Sequence, residues 1–213
     1  MWRARVDAFA MSHTARFLKE VAAIAAALDI SAIDALVAEL CSVRTRAGRV
    51  FVLGVGGNAA NASHFVNDLR KLCRIEAYAP TDNVAELTAR TNDDGWSASF
   101  SGWLEVSRLG PADLLFVLSV GGGDAARDIS PNLVRALALA QTRGARIAGI
   151  VGRDGGATRQ LAHACVVVPA PAPERVTPLT EAFQAVLMHA LVSHPELQLL
   201  PAKWETQNGR EAP

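Results

Sequence analysis

Two histidines and two carboxylates recur at helical spacing in this chain. His64 and Asp68 stand four residues apart, and Glu181 and His189 eight apart, so each pair shares or nearly shares one helix face. Two imidazoles with two carboxylates form an acid/base set, and the same donors suit zinc. Ahead of His64 runs Val52-Leu53-Gly54-Val55-Gly56-Gly57-Asn58-Ala59-Ala60-Asn61-Ala62-Ser63. A strand that enters glycines and leaves as a helix lets backbone amides and a helix N-terminus approach an oxyanion. No Gly-Lys-Ser/Thr follows, so the run is not a P-loop, and Ala59 stands in the third glycine place of a dinucleotide fingerprint. Its bland alternative is a tight turn that holds nothing.

A second turn, Ser119-Val120-Gly121-Gly122-Gly123-Asp124, and a third, Gly152-Arg153-Asp154-Gly155-Gly156, each follow a short apolar run. Ligands of parallel sheets gather beyond the carboxyl ends of strands, so the three turns are expected around one crevice. The competing account of His189, between Met188 and Ala190, is a hydrogen-bonded packing residue. His13, His163 and His194 lack such partners and read as surface residues, and Asn92-Asp93-Asp94-Gly95 reads by itself as a polar turn.

The elements that must position these groups follow from hydrophobic period. Phe17, Leu18, Val21, Ile24, Ala25 and Leu28, then Ile33, Leu36, Val37 and Leu40, predict two leading helices. Ser31 with Asp34 has capping-box spacing for the second, and Gly48 is the expected stop. From residue 49, apolar runs at 50–54, 75–78, 114–119, 146–151 and 165–168 predict strands. Helical patterns lie between and after them at 59–72, 83–90, 97–107, 132–142 and 180–193. Buried runs alternating with helices predict a parallel sheet covered on both faces. Residues 170–178 read as an extended crossing, and the tail after Pro201 as polar and loose.

The chain has 213 residues, half of them hydrophobic, which suits one α/β domain with a buried core. Acidic and basic residues balance at 21 each, so no broad field favours nucleic acid or a membrane surface. Cys41, Cys73 and Cys165 show no CxxC spacing and fit a reducing compartment. Arg3, Arg5, Asp7 and Lys19 interrupt the leading apolar residues, which argues against a signal peptide, and no uncharged run has bilayer length. The expected location is the cytoplasm.

In order along the chain, these motifs resemble the phosphoheptose isomerases, which are sugar isomerase (SIS) domain proteins. The likeness is carried by Gly54-Val55-Gly56-Gly57-Asn58 with His64-Phe65, Asn92-Asp93, Ser119-Val120-Gly121-Gly122, Gly152-Arg153-Asp154-Gly155-Gly156 and Glu181…His189. The resemblance implies a three-layer α/β fold: a five-stranded parallel sheet flanked by helices, behind two N-terminal helices. It divides the chain into a helical pair for oligomerisation at 1–48, a sugar-phosphate-binding SIS domain at 49–200 and a polar tail at 201–213. It further implies a homotetramer with active sites at subunit interfaces and the conversion of sedoheptulose 7-phosphate to D-glycero-D-manno-heptose 7-phosphate.

Carried over by position, the metal residues are His64, Asp68, Glu181 and His189, with zinc as the metal. Asp68, His189 and Glu181 are the acid/base candidates. Gly56, Gly57, Asn58, Asn92, Asp93, Ser119, Gly121 and Ser130 are expected to bind the phosphorylated heptose, with Asn58, Ser119, Ser130 and the adjoining amides holding its phosphate. Five departures stand out, one of them in the first turn, where Val55 replaces an Asn and Asn58 a Ser. Asp68 replaces a Glu and Glu181 a Gln. Val120 and Gly121 replace Thr and Ser in the phosphate loop, and residues 124–129 read as an insertion before Ser130. Lost hydroxyls call for compensation from amides, Arg127 or a neighbouring subunit, while Asp124 and Asp128 would repel phosphate if they faced it.

Two other readings stay open at this level. A non-catalytic SIS scaffold, like the initiator-associating protein of bacterial replication, is suggested by Ala59-Ala60-Asn61-Ala62, but that scaffold lacks a His at the place of His189. A sugar-phosphate-sensing regulator would need a helix-turn-helix or a basic arm, and neither is evident.

Overall fold

The computed structural model describes residues 11–206. Arg3, Arg5 and Asp7, and the end of the polar tail, lie outside those residues. The chain opens with helices α1 (His13–Ala27) and α2 (Ile30–Thr45), which meet at 69°. Asp29 caps α2 where the capping-box spacing had pointed to Ser31. Its Oδ1 accepts the Ala32 amide at 3.2 Å and the Ser31 hydroxyl at 2.6 Å, so the helix starts two residues earlier. Past the end of α2 the chain reverses at Ala47, whose φ is 53°, and the Gly48 amide returns to Val43 O at 2.9 Å.

The sheet region then runs β1 (Val50–Leu53), α3 (Gly57–Lys71), β2 (Ala77–Tyr78), α4 (Val84–Asp93), α5 (Ser99–Val106) and β3 (Leu114–Ser119). It continues through α6 (Pro131–Thr142), β4 (Arg146–Val151), α7 (Gly156–Leu161), β5 (Ala164–Val167), α8 (Val176–Val192) and α9 (Lys203–Thr206). All strand pairs are parallel, in the order β2-β1-β3-β4-β5. That order places a topological switch between β1 and β3, so the crevice for ligands opens beyond Leu53 and Ser119.

Four expectations need correction. β2 is two residues long, because Arg74 turns at φ 52° and the Ile75 amide bonds back to Leu69 O at 3.0 Å. The single helix expected at 97–107 is a 3₁₀ turn, Trp96–Ala98, followed by α5. The crossing before α8 is not fully extended: Pro173–Arg175 forms a 3₁₀ turn and the helix begins at Val176, where Pro178 fits the first turn. After Pro201, Lys203–Thr206 is helical.

Burial explains the layers. Alternate strand residues point to opposite faces, and both faces are covered. Val50, Val52, Leu114, Phe116, Ile150 and Val166 pack with Leu36, Leu40, Phe65, Leu69, Phe183 and Leu187 of α2, α3 and α8. Phe51, Leu53, Leu115, Val117 and Ile147 pack with Phe100, Leu104, Leu133 and Leu137 of α5 and α6. α1 differs. It buries Ile24 alone and is tied down by a bidentate ion pair, with Arg175 Nε and Nη2 each 2.6 Å from Glu20 carboxylate oxygens. Among the described residues no single helix is long and apolar enough to cross a membrane.

Candidate functional site

β1 feeds α3, and β5 feeds α8, on the same side of the sheet, so the two helices run alongside each other in parallel. A polar clasp fixes their register. Asn61 Nδ2 donates to Glu181 O at 3.0 Å and to Gln184 Oε1 at 3.2 Å, and Gln184 Nε2 donates to Ile150 O at 3.2 Å. Gln184 is fully buried, so these bonds satisfy groups that would be costly to leave bare.

With that register, His189 of α8 comes level with His64 and Asp68 of α3. Asp68 Oδ2 lies 3.3 Å from His64 Nε2 and 3.7 Å from His189 Nδ1. The rings stand edge to face with centroids 4.9 Å apart. The other carboxylate oxygen of Asp68 accepts Asn67 Nδ2 at 2.9 Å. One carboxylate, 8% exposed, thus faces two imidazoles that are each about half open. One ligand atom from each residue lies within 4.8 Å of the others, and two imidazoles with a carboxylate, open on one side, match the donor chemistry of zinc.

Glu181, the fourth expected member, stands apart from this cluster. Its carboxylate lies over the start of α3: a methyl carbon on Gly57 would fall 2.5 Å from Oε2 and 2.8 Å from Oε1. Asn58 Nδ2 donates to Oε1 at 3.3 Å and to Val55 O at 3.0 Å. Gly57 therefore admits the side chain of Glu181 to the helix N-terminus, a favourable place for a carboxylate. Upstream, Gly54 is held by crowding, since a methyl there would meet Asn58 O at 2.2 Å.

The second and third turns interlock. Gly122 and Gly123 carbonyls accept the amides of Thr158 and Ala157 at 3.0 and 2.8 Å, and Thr158 Oγ1 donates to Gly122 O at 2.8 Å. The first amides of α7 are consumed in this way, so the third turn clamps the second and is not a cradle of its own. Ser119 is buried, and its hydroxyl accepts the Gly122 amide at 3.0 Å. Gly121 has open space above its Cα. Ser130 precedes α6 at φ 51°, with its side chain free of any capping bond.

The insertion closes on itself through paired backbone bonds between Asp124 and Ile129 at 2.9 and 3.0 Å. Arg127 Nε donates to Asp124 Oδ2 at 2.6 Å, which holds the Asp124 carboxyl below its usual range. Arg127, expected to aid phosphate, and Asp124, expected to repel it, are thus engaged with each other, while Asp128 stands exposed in the same loop at φ 52°. Asn92 and Asp93 lie exposed at the end of α4, with Asn92 Nδ2 bonded to Asp93 Oδ1 at 2.8 Å. His163, an expected surface residue, is exposed, and its Nδ1 accepts the Ile147 amide at 3.0 Å.

Sequence reasoning passed over three participants. Asn61 and Gln184 form the clasp, and the only signal was an amide on an otherwise apolar helix face. Asn132, in the first turn of α6, is fully buried with neither side-chain amide atom bonded. The Ser130-Pro131-Asn132 run marked a helix start but not that burial.

No model of a known protein family matches the chain. It is 35% identical over 158 residues to the lincomycin biosynthesis protein LmbN of Streptomyces lincolnensis, spanning 56% of that protein's length. It is 37% identical over 147 residues to the phosphoheptose isomerase of Akkermansia muciniphila, covering 66% of this chain and 74% of that one. With the phosphoheptose isomerase of Geobacter sulfurreducens it shares 32% over 170 residues, 77% of this chain and 84% of that one. Among solved structures, the phosphoheptose isomerase of Neisseria gonorrhoeae superposes with a TM-score of 0.72 at 23% identity, over 84% of this chain and 95% of that one. That of Francisella tularensis gives 0.70 at 23%, over 83% and 92%.

The sheet order, the helices on both faces and these superpositions define an α/β domain of the SIS type. The sequence relationships go further: the chain belongs to the phosphoheptose isomerase family. Membership in a family of isomerases does not favour the non-catalytic scaffold.

Proposed function

We propose that the protein is an aldose–ketose isomerase that converts sedoheptulose 7-phosphate to D-glycero-D-manno-heptose 7-phosphate in bacterial heptose biosynthesis. The observation that carries this reading is the single buried carboxylate of Asp68 set between two open imidazoles. Isomerisation moves a proton from the carbon beside the carbonyl to the carbonyl carbon, and a second from the neighbouring hydroxyl to the carbonyl oxygen, so it needs a group that cycles between base and acid. His189, the more open imidazole, takes that proton and gives it back. Asp68 orients both rings and offsets charge gained by either. Glu181 is the reserve carboxylate beside the first turn.

Zinc, held by His64, Asp68 and His189, would polarise the substrate's carbonyl and neighbouring hydroxyl oxygens, while Glu181, the fourth donor that the family pattern implies, stands apart over Gly57. The phosphate would be seated by Ser119, Gly121 and Ser130, where the N-terminus of α6 favours an anion. Gly56, Gly57 and Asn58 would face the rest of the sugar, and Asn92 and Asp93 would complete the site. The exposed face of α1 and the outward opening of the cluster support a homotetramer that closes each site at a subunit interface. In that division, residues 1–48 serve assembly, 49–200 bind and convert substrate, and 201–213 form a tail. We place the enzyme in the cytoplasm.

The test is turnover of sedoheptulose 7-phosphate by the purified protein with added zinc, followed by product analysis. His189→Ala should lower kcat by about 10²- to 10⁴-fold. An unchanged substrate with the native, zinc-supplied protein would refute the reading.

A further inference from the structure

The seat proposed for phosphate has no cation of its own. Its two halves read Ser119-Val120-Gly121-Gly122-Gly123 and Ser130-Pro131-Asn132-Leu133-Val134, and Pro131 removes one of the amides that the start of α6 could offer. A phosphomonoester near neutral pH carries close to two negative charges, of which amides and a helix dipole answer only a part. Residues 124–129 join the two halves, and their one cation is Arg127. Among the described residues this link is hydrogen-bonded only to itself. Asp124 and Ile129 exchange backbone bonds at 2.9 and 3.0 Å, and Asp124 Oδ1 accepts the amides of Ala126 and Arg127 at 2.9 and 3.0 Å. Residues 125–129 are exposed, and neither side of the link is packed. A cavity of about 310 Å³ separates it from Asp154, Ala157 and Gln160, and another of about 420 Å³ from Ser97, Val134 and Arg135. Its root is fixed, since Gly123 O accepts the Ala157 amide at 2.8 Å, while Asp128 and Ser130 at its exit hold φ at 52° and 51°, a strained setting for residues with side chains.

From this geometry we infer that Arg127 is a substrate-binding residue carried on a closing flap: when a phosphate ester occupies the seat between Ser119 and Ser130, the guanidinium leaves Asp124 and residues 124–129 fold over the anion. The exchange is easily made. The Arg127–Asp124 pair lies at the surface, with the arginine side chain 58% exposed, and an exposed pair stabilises little. A phosphate offers the same fork two oxygens and more charge. When Arg127 departs, Asp124 Oδ1 keeps its two amide donors, so the turn that shapes the flap survives, and Oδ2 is left to water. Asp124 thus parks the cation while the site is empty. The inference deepens the isomerase reading and rests on it for the place of the phosphate.

The experiment adds inorganic phosphate to the full-length, isotope-labelled protein at constant ionic strength and follows the backbone amides together with the Arg127 Nε–H resonance. In the native protein, amides of residues 119–122 should shift, and the Arg127 Nε–H should shift with the same dissociation constant. Arg127→Ala should weaken phosphate binding by at least about tenfold, the loss expected for hydrogen bonds to a charged group. Arg127→Lys, which keeps the charge without the fork, should recover part of it. Matching resonances away from the loop would show that each variant keeps its fold. An Arg127→Ala protein that still shifts at residues 119–122 with native affinity would overturn this inference alone, and so would an Arg127 Nε–H that stays in place while those amides move. Absence of any shift at residues 119–122 in the native protein would overturn it together with the phosphate seat. None of these outcomes depends on turnover, so a failure of the flap is distinct from a failure of the isomerase reading.

Discussion

Replacing Gly122 by Ala tests whether the second and third turns form one mechanical unit. Gly122 sits at φ +70°, where an L side chain costs about 1–2 kcal/mol. The added methyl would fall 1.9 Å from Gly155 O and 2.5 Å from Gly155 C, so the third turn would have to retreat by more than about 1 Å to reach ordinary contact. That retreat pulls on Thr158 N–Gly122 O, Ala157 N–Gly123 O and Thr158 Oγ1–Gly122 O, bonds of 3.0, 2.8 and 2.8 Å. Each contributes about 0.5–1.5 kcal/mol net. Together with the backbone strain, the loss comes to about 3–5 kcal/mol. For a chain of this length that lowers the melting temperature by roughly 10 °C, readable by circular dichroism. Because the amide of Gly122 also anchors Ser119, KM for a phosphorylated substrate should rise more steeply than kcat falls. A fall of no more than about 4 °C, which strain at φ +70° supplies by itself, would refute the interlock.

Two further outcomes follow from the cluster and the thiols. Asp68→Asn keeps the shape but removes the charge between His64 and His189, and zinc affinity measured against a competing chelator should fall by at least about tenfold; an unchanged affinity would mean the cluster does not hold the metal. Burial pushes Cys73 and Cys165 up to about 11 and raises Cys41 as well, with desolvation the leading cause each time. The unfolded chain therefore ionises first, so these thiols' contribution to stability is complete below about pH 9 and is lost as the pH climbs towards 11. Melting temperature should decline over that window in the native protein and decline less in a Cys73→Ala, Cys165→Ala double variant, while native protein at pH 8 should react slowly with a thiol reagent.

Where period and burial decide an element, the sequence carried it. Leu114–Ser119 and Arg146–Val151 were expected with the observed bounds, because continuous apolar runs between turn residues have no other stable setting in a sheet covered on both faces. Elements set by tertiary bonds were less legible. α7 is six residues long and starts where Gly122 and Gly123 supply carbonyls, which no local pattern announces. β2 shortens because the Ile75 amide is claimed by Leu69. The same divide runs through the site. Spacing put His64 with Asp68, since an i,i+4 pair is a property of one helix, and the level of His189 followed once two helices left the sheet side by side. That Glu181 would turn towards Gly57 was not readable, because its place depends on the register that Asn61 and Gln184 impose between helices distant in sequence.

That register gives the two carboxylate exchanges a common sense. Asp68 is a methylene shorter than the Glu it replaces, yet its Oδ2 faces both imidazoles, because the clasp holds α8 close against α3. A longer carboxylate is not needed where the helices approach this nearly. Glu181 begins about 12 Å from His189 along α8, as eight residues of helix rise by that amount, and its side chain points to the opposite end of the seam. The carboxylates of the site thus stand at the two ends of the seam, Asp68 between the imidazoles and Glu181 over Gly57.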